Sequence, residues 1–209
     1  MTSLLEGVRK FQSEVFASKK DLFTRLAHGQ HPRALLITCS DSRIDPCLLT
    51  QTDPGELFIL RNAGNIVPSY GSQVGGTTAT IEYAVGALHV RDVIVCGHTD
   101  CGVAKAILDP SLASDLPAVR DWLLQVEATR RILKETCASL SGEALLTAAI
   151  QENVRVQLAH LRTHPLVAVK LRRGTLRLHG WIYSIATGDI SVYDEQQDQF
   201  VDVHQVKSR

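Results

Sequence analysis

Two apolar runs in this chain each stop at residues that carry chemistry, and that pairing limits the fold more than any other feature. The run Arg33-Ala-Leu-Leu-Ile-Thr38 reads as a buried strand, and Cys39-Ser40-Asp41-Ser42-Arg43 follows it at once. A second run, Asp92-Val-Ile-Val-Cys96, passes through Gly97 into His98-Thr99-Asp100-Cys101-Gly102. One strand end therefore presents a thiol, a carboxylate and a guanidinium, and the other an imidazole and a thiol. Strands that alternate with helical periodicity argue for an α/β fold with a mainly parallel central sheet flanked by helices. In such sheets ligands bind outside the carboxyl ends of the strands. Cys39, the polar loop Asn62–Asn65 and His98–Cys101 all fall at those ends.

The remaining pattern fills in that frame. Leu4, Leu5, Val8, Phe11, Val15 and Phe16 share one face of a helix over residues 4–16, and a short helix covers 21–28. Glu56–Arg61 reads as a strand, Thr77–Leu88 as a helix, and Val103–Leu108 as the start of another. A loop at 109–117 is expected to be mobile. Ala118–Ser139 and Glu143–Arg162 read as two long helices, and Leu166–Leu171 as a short one. Leu176–Ile185 and Asp189–Tyr193 read as strands joined at Thr187-Gly188. Gly71–Gly76 reads as loop. The organisation expected is a single domain over 1–209, with a helical arm at 1–32 and an α/β core at 33–209.

Composition removes several function classes. With 209 residues, 44% of them hydrophobic, the chain can bury a sizeable core. Its 22 basic side chains balance 22 acidic ones, so no basic surface points to nucleic acid. The apolar runs are far shorter than the roughly 20 residues a membrane span needs. The N-terminus mixes charge with apolar residues and does not read as a secretory signal. Five cysteines, an odd and sparse set, make no disulfide framework. The setting read from this is cytoplasmic and reducing.

Cys39, His98 and Cys101 offer a set of ligands that suits Zn²⁺, from two strand ends. Three protein ligands leave a fourth position open, the mark of a catalytic site. Asp41 is close enough in sequence to take that position, which would make a closed structural site instead. Arg43 can draw Asp41 away through two parallel N–H···O bonds. A redox pair of thiols is the other alternative, although His-x-x-Cys lacks Cys-x-x-Cys spacing. Cys47, Cys96 and Cys137 read as ordinary core cysteines. His31 and His89 are candidate proton relays.

Taken together, Cys39-Ser-Asp-Ser-Arg43, Pro54-Gly-Glu-Leu-Phe58, Arg61-Asn-Ala-Gly-Asn65, Ile81-Glu-Tyr-Ala-Val85 and Cys96-Gly-His-Thr-Asp-Cys-Gly102 resemble the β-class carbonic anhydrases. Glu152-Asn-Val and Leu178-His-Gly-Trp181 extend the resemblance over nearly the whole chain. Gln30-His-Pro-Arg33, Asp121-Trp-Leu123 and Glu127-Ala-Thr-Arg-Arg131 look most like the cyanobacterial carboxysomal branch. The resemblance implies one Zn²⁺ per chain on Cys39, His98 and Cys101, with Asp41 as a further ligand only in a closed state. It implies Asp41 and Arg43 as a catalytic dyad, and a CO₂ pocket at Gln30, Phe58, Ala63, Tyr83 and Gly102. The activity implied is reversible hydration of CO₂ to bicarbonate and a proton by zinc-bound hydroxide. Hydrolysis of carbonyl sulfide or carbon disulfide on the same site is an alternative, as is an inactive zinc-stabilised carboxysomal scaffold.

The partners implied are a second copy of the chain, embraced by the N-terminal helices in a homodimer, a dimer of dimers or larger. Carboxysome proteins are further candidates, and the localisation then extends from cytoplasmic to carboxysomal. Two departures qualify this. Some family members carry a Trp three residues before the first zinc Cys, in a non-catalytic bicarbonate site. Leu36 stands there, so no such inhibition is expected although Arg61 and Tyr183 match. The chain also ends at Arg209 without the long C-terminal extension of the carboxysomal branch, so docking through such a tail is not expected.

Overall fold

The computed structural model describes residues 2–72 and 75–206. They form two compact units that divide between His31 and Pro32. Part of the loop expected at Gly71–Gly76, residues 73 and 74, lies outside the described residues.

In the first unit, α1 (Thr2–Lys10) continues through a π-type stretch, Phe11–Val15, into α2 (Phe16–Ser18), and α3 (Lys20–Leu26) follows. Phe16 stacks on Phe23 with ring centroids 5.0 Å apart, and Phe11 meets Phe23 edge-on at 6.0 Å. That aromatic trio fixes the turn between the helices. Leu4, Leu5, Val8, Phe11, Val15 and Phe16 are all exposed.

The second unit is built on a six-stranded sheet in the order β2-β1-β3-β4-β5-β6. Its strands are β1 (Ala34–Cys39), β2 (Leu57–Asn62), β3 (Asp92–His98), β4 (Arg177–Tyr183), β5 (Ile190–Asp194) and β6 (Gln199–Asp202). The first four are parallel and the last two antiparallel. β1 and β3 are buried along almost their whole length. This agrees with their unbroken apolar runs, the pattern of a strand covered on both faces. The register sets Cys39 opposite Asn62 and His98 opposite Tyr183. Cys39, the loop after Asn62, and His98 thus share one end of the sheet.

The helices are α4 (Pro46–Thr50), α5 (Gly76–Gly86), α6 (Gly102–Leu108), α7 (Pro117–Leu123), α8 (Glu127–Thr136), α9 (Gly142–Thr163) and α10 (Pro165–Arg172). α9 lies directly on β3 and β4. Gly97 and Gly180 permit that approach, since a Cβ on either would stand 2.9 Å from a Val154 methyl. Further along α9, Gln157 accepts from the Val67 N–H, His160 bonds the Val67 carbonyl, and Thr163 accepts from the Tyr70 N–H. Polar side chains of one helix thereby complete the backbone of the 66–70 segment, which has no ladder of its own.

One sequence reading needs correction, and two segments gain detail. Residues 118–139 are not one helix: α7 and α8 are separated by a 3-10 turn at Leu124–Val126. The tighter turn keeps both Leu123 and Val126 in a cluster with Ile107 and Leu133. The loop at 109–117 contains a 3-10 turn at Pro110–Ala113, which Asp109 caps by accepting from the Ser111 N–H. β6 was not read from the sequence at all. Among the described residues no helix is long and apolar enough to cross a membrane.

Candidate metal centre

Cys39 is the last residue of β1, His98 the last of β3, and Cys101 the residue before α6. All three are buried, and their ligand atoms lie within 4.8 Å of one another. His98 Nδ1 is 2.8 Å from the Thr99 carbonyl, which assigns the proton to that nitrogen. The other nitrogen, Nε2, is buried without a hydrogen-bond partner. A buried imidazole with one nitrogen tied to a carbonyl and the other left bare, facing two thiols, fits a metal. The donor set, two sulfurs and one nitrogen, is one that Zn²⁺ takes.

The charges at the cluster agree with that fit. The Cys101 thiol, the adjoining His98 ring and the Gly64 N–H together outweigh burial and bring the Cys39 thiol down to about 4. Its neighbour moves the other way: the bond to Cys39, burial and the Cys39 charge push Cys101 far up. Without a cation, ionisation of one thiol thus opposes ionisation of the other.

Asp41 and Arg43 form the fork expected of them. Arg43 Nε donates to Asp41 Oδ1 at 2.9 Å and Nη2 to Oδ2 at 2.7 Å, while the Arg43 N–H also donates to Oδ1 at 3.0 Å. These bonds hold the Asp41 carboxyl well below the usual carboxylate range. Asp41 Oδ2 nevertheless lies only 3.9 Å from His98 Nε2. The carboxylate therefore borders the cluster with both oxygens engaged by the guanidinium.

Backbone around the site is fixed by side chains to which the sequence reading gave no such bracing role. Arg61 donates to the carbonyls of Cys39 and Asp41, at 3.1 and 2.7 Å, and so braces the turn that carries both. Asn62 closes the next loop by bonding both the N–H and the carbonyl of Ile66. Gly64 donates to Cys39 Sγ at 3.4 Å, and its own carbonyl accepts from Asn153. Its φ is +79°, and a Cβ there would stand 2.4 Å from Val103 Cγ1, so only glycine fits. Asn153 in turn accepts from Gln157. Trp122 donates from Nε1 to the Ala63 carbonyl at 2.9 Å.

The expected pocket residues separate. Ala63 and Gly102 adjoin the cluster through Gly64 and Cys101. Phe58 is paired with Leu35, four residues before Cys39, or about 13 Å along the strand. It meets Tyr83 at 6.0 Å between ring centroids, and Tyr83 is half exposed. Gln30 belongs to the N-terminal unit. Leu36 is fully buried beside Trp181 and Tyr183. Cys96 packs among Ala34, Leu36 and Ile94, and burial pushes its thiol up to about 12. Cys47 and Cys137 are only half-buried, less enclosed than core cysteines. His89 precedes β3 at the opposite end from His98 and contacts Lys170.

A parallel sheet that gathers two thiols and an imidazole at its carboxyl edge, with a charged fork alongside, defines a metal-dependent α/β enzyme. The carbonic anhydrase family model matches residues 34–190. A carbonic anhydrase of Synechocystis is 50% identical over 96% of this chain and 74% of its own length. One of Pseudomonas aeruginosa is 48% identical over 96% of this chain and 91% of its own. The solved β-carbonic anhydrase CcaA superposes with a TM-score of 0.96 at 48% identity, covering 100% of this chain and 93% of that one. A tetrameric β-carbonic anhydrase of Sordaria macrospora gives 0.79 at 28% identity, covering 91% and 95%. The chain belongs to the carbonic anhydrase family, in its β class. Its activity is that of a carbonate dehydratase, interconverting CO₂ and water with bicarbonate and a proton on one zinc ion.

Proposed function

We propose that Asp41 and Arg43 run this reaction as a dyad beside a zinc ion held by Cys39, His98 and Cys101. Zinc bound there supplies the Lewis acidity that makes a water nucleophilic near neutral pH. Asp41 supplies the acceptor: its carboxylate borders the cluster and is held ionised, so it can take a hydrogen bond from the attacking water and fix its direction. Arg43 fixes Asp41, keeping it a hydrogen-bond acceptor rather than a fourth ligand. The net change is addition of water oxygen to the CO₂ carbon, with one proton passed to solvent. The bidentate fork is the observation that carries this reading. It also argues against an inactive scaffold with Asp41 permanently on the metal; a scaffold with no metal at all is tested by the zinc content.

The CO₂ pocket is proposed to be shared between two copies. Ala63 and Gly102 come from the chain that holds the zinc. Phe58, Tyr83 and Gln30 come from its partner, because Phe58 and Tyr83 stand back from their own cluster and Tyr83 is half exposed. Phe58 and Tyr83 form an apolar wall for a nonpolar gas, while the Gln30 amide and the Gly102 N–H bond the developing bicarbonate. The exposed apolar side chains of α1 and α2 support a homodimer or larger assembly in which the N-terminal helices embrace the partner. A cytoplasmic setting suits the chain, and a carboxysomal one rests on its cyanobacterial relatives. Localisation of a tagged chain decides between them.

Stopped-flow CO₂ hydration on zinc-assayed protein tests the central claim. Turnover with one zinc per chain is expected, and Asp41→Asn is expected to lower kcat by about 10²–10⁴ with zinc retained. Full turnover in that variant removes the dyad.

A further inference from the structure

We propose that Asp100, itself held by Lys105, is a positioning residue that keeps Arg43 in its fork with Asp41. This rests on the dyad reading above. Arg43 uses Nε and one Nη2 proton on Asp41, and these make up only one edge of its guanidinium. The outer edge faces Asp100: Nη1 donates to Oδ2 at 3.0 Å, and Nη2 lies 3.5 Å from the Asp100 carbonyl. Asp100 Oδ1 is taken by Lys105, one turn inside α6. Asp41, Arg43, Asp100 and Lys105 thus form a chain of alternating charge. It crosses from the turn after β1 to the turn after β3, the two halves of the metal centre.

The backbone explains how Asp100 reaches that place between two inward-facing ligands. Its φ is +60°, the left-handed region that aspartate tolerates better than most residues. His98 and Cys101 are buried, while the Asp100 side chain is 54% exposed.

An exposed ion pair contributes little as such. The argument here is one of geometry. The guanidinium is a rigid plane, so fixing its outer edge fixes the inner edge as well. The Arg43 side chain is 43% exposed and long. Without Asp100 it gains freedom to swing into solvent, and each excursion leaves Asp41 held only by the Arg43 backbone N–H, with Oδ2 released 3.9 Å from His98 Nε2. The competing effect is that a second carboxylate divides the pull of Arg43 on Asp41. Asparagine separates the two, because it keeps an oxygen for Nη1 and drops the charge.

The test follows the Arg43 Nε–H resonance and its hydrogen exchange by NMR on the zinc-loaded full chain. Asp100→Ala is expected to speed that exchange by about two- to fivefold, and Asp100→Asn to keep it near the wild-type rate. Lys105→Met gives a smaller change in the same direction, and the double variant is no worse than Asp100→Ala alone. Unchanged exchange in Asp100→Ala overturns the proposal, as does an Asn variant that matches the Ala one. Failure of the dyad reading is distinct, because it shows as full CO₂ hydration in Asp41→Asn whatever Arg43 does.

Discussion

Asp41 Oδ2 stops 3.9 Å from His98 Nε2 because Arg43 grips both of its oxygens. The distance is too long for a hydrogen bond and short enough that a modest side-chain rotation would bring the carboxylate to the cluster. Arg43 therefore decides which role Asp41 plays. Arg43→Leu is expected to lower kcat/KM by about 10²–10³, the loss that follows from removing a group that orients a catalytic acceptor. Zinc content stays at one per chain, since none of the three ligands is touched. Arg43→Leu with Asp41→Asn is expected to be no worse than the poorer single variant, because the two act as a unit. Additive losses by stopped-flow assay mean that they act separately.

Zinc uptake is expected to release protons in a defined number. Cys39 is expected to be ionised before the metal binds, since its thiol is brought down to about 4. Cys101 is not, since Cys39 and burial push it far up. A ligand that must lose its proton binds metal better as pH rises, until pH reaches its metal-free pKa. Loading apo protein near neutral pH should then release about one proton per zinc, with affinity rising about tenfold per pH unit. Titration calorimetry in two buffers of different ionisation enthalpy measures the proton count. Two protons per zinc would show that Cys39 is not ionised beforehand.

What could be read from the sequence followed from how local each signal is. Cys39, His98 and Cys101 stood at the ends of two apolar runs, so parallel strands had to bring them together. The fork needed only two residues of separation. Asn153, Gln157 and Trp122 were illegible in this sense, because they reach the 63–67 loop across 59 to 90 residues of chain. Nothing in α9 marks those two amides as different from surface residues. β6 was missed because only Phe200 and Val201 stand in a polar stretch, and it is Tyr193 on β5, 5.3 Å from Phe200, that gives the strand its apolar contact. Phe58 and Tyr83 could be named only from resemblance, since no pattern within one chain points them at the cluster.

The buried amide relay from α9 is expected to support zinc as well as the fold. Asn153→Leu leaves the Gly64 carbonyl without its donor and Gln157 without its acceptor. Each buried polar group left unpaired costs about 1–3 kcal/mol. The urea midpoint should fall accordingly. Gly64 carries the N–H that bonds Cys39 Sγ, so zinc affinity should fall too, although Asn153 touches no ligand. A variant that unfolds at the wild-type midpoint and holds zinc as tightly would show that the loop is fixed from elsewhere.

His164 sets a pH dependence that is independent of the metal. It joins α9 to α10, is 3% exposed, and bonds the Pro68 carbonyl through Nε2 at 3.0 Å. Burial holds its pKa below the usual histidine value of 6.5, against the opposing pull of the Pro68 carbonyl. The folded chain therefore binds fewer protons than the unfolded chain when the pH drops below about 6.5. The stability contributed by neutral His164 is complete above that pH and is lost progressively as pH falls toward the folded value. His164→Gln keeps an N–H near Pro68 and cannot titrate. Thermal melts should show a shallower fall of Tm in the variant than in the wild type between about pH 6.5 and pH 5. Equal slopes would place the acid sensitivity in other groups, the carboxylates held low by Arg43 and Arg177 among them.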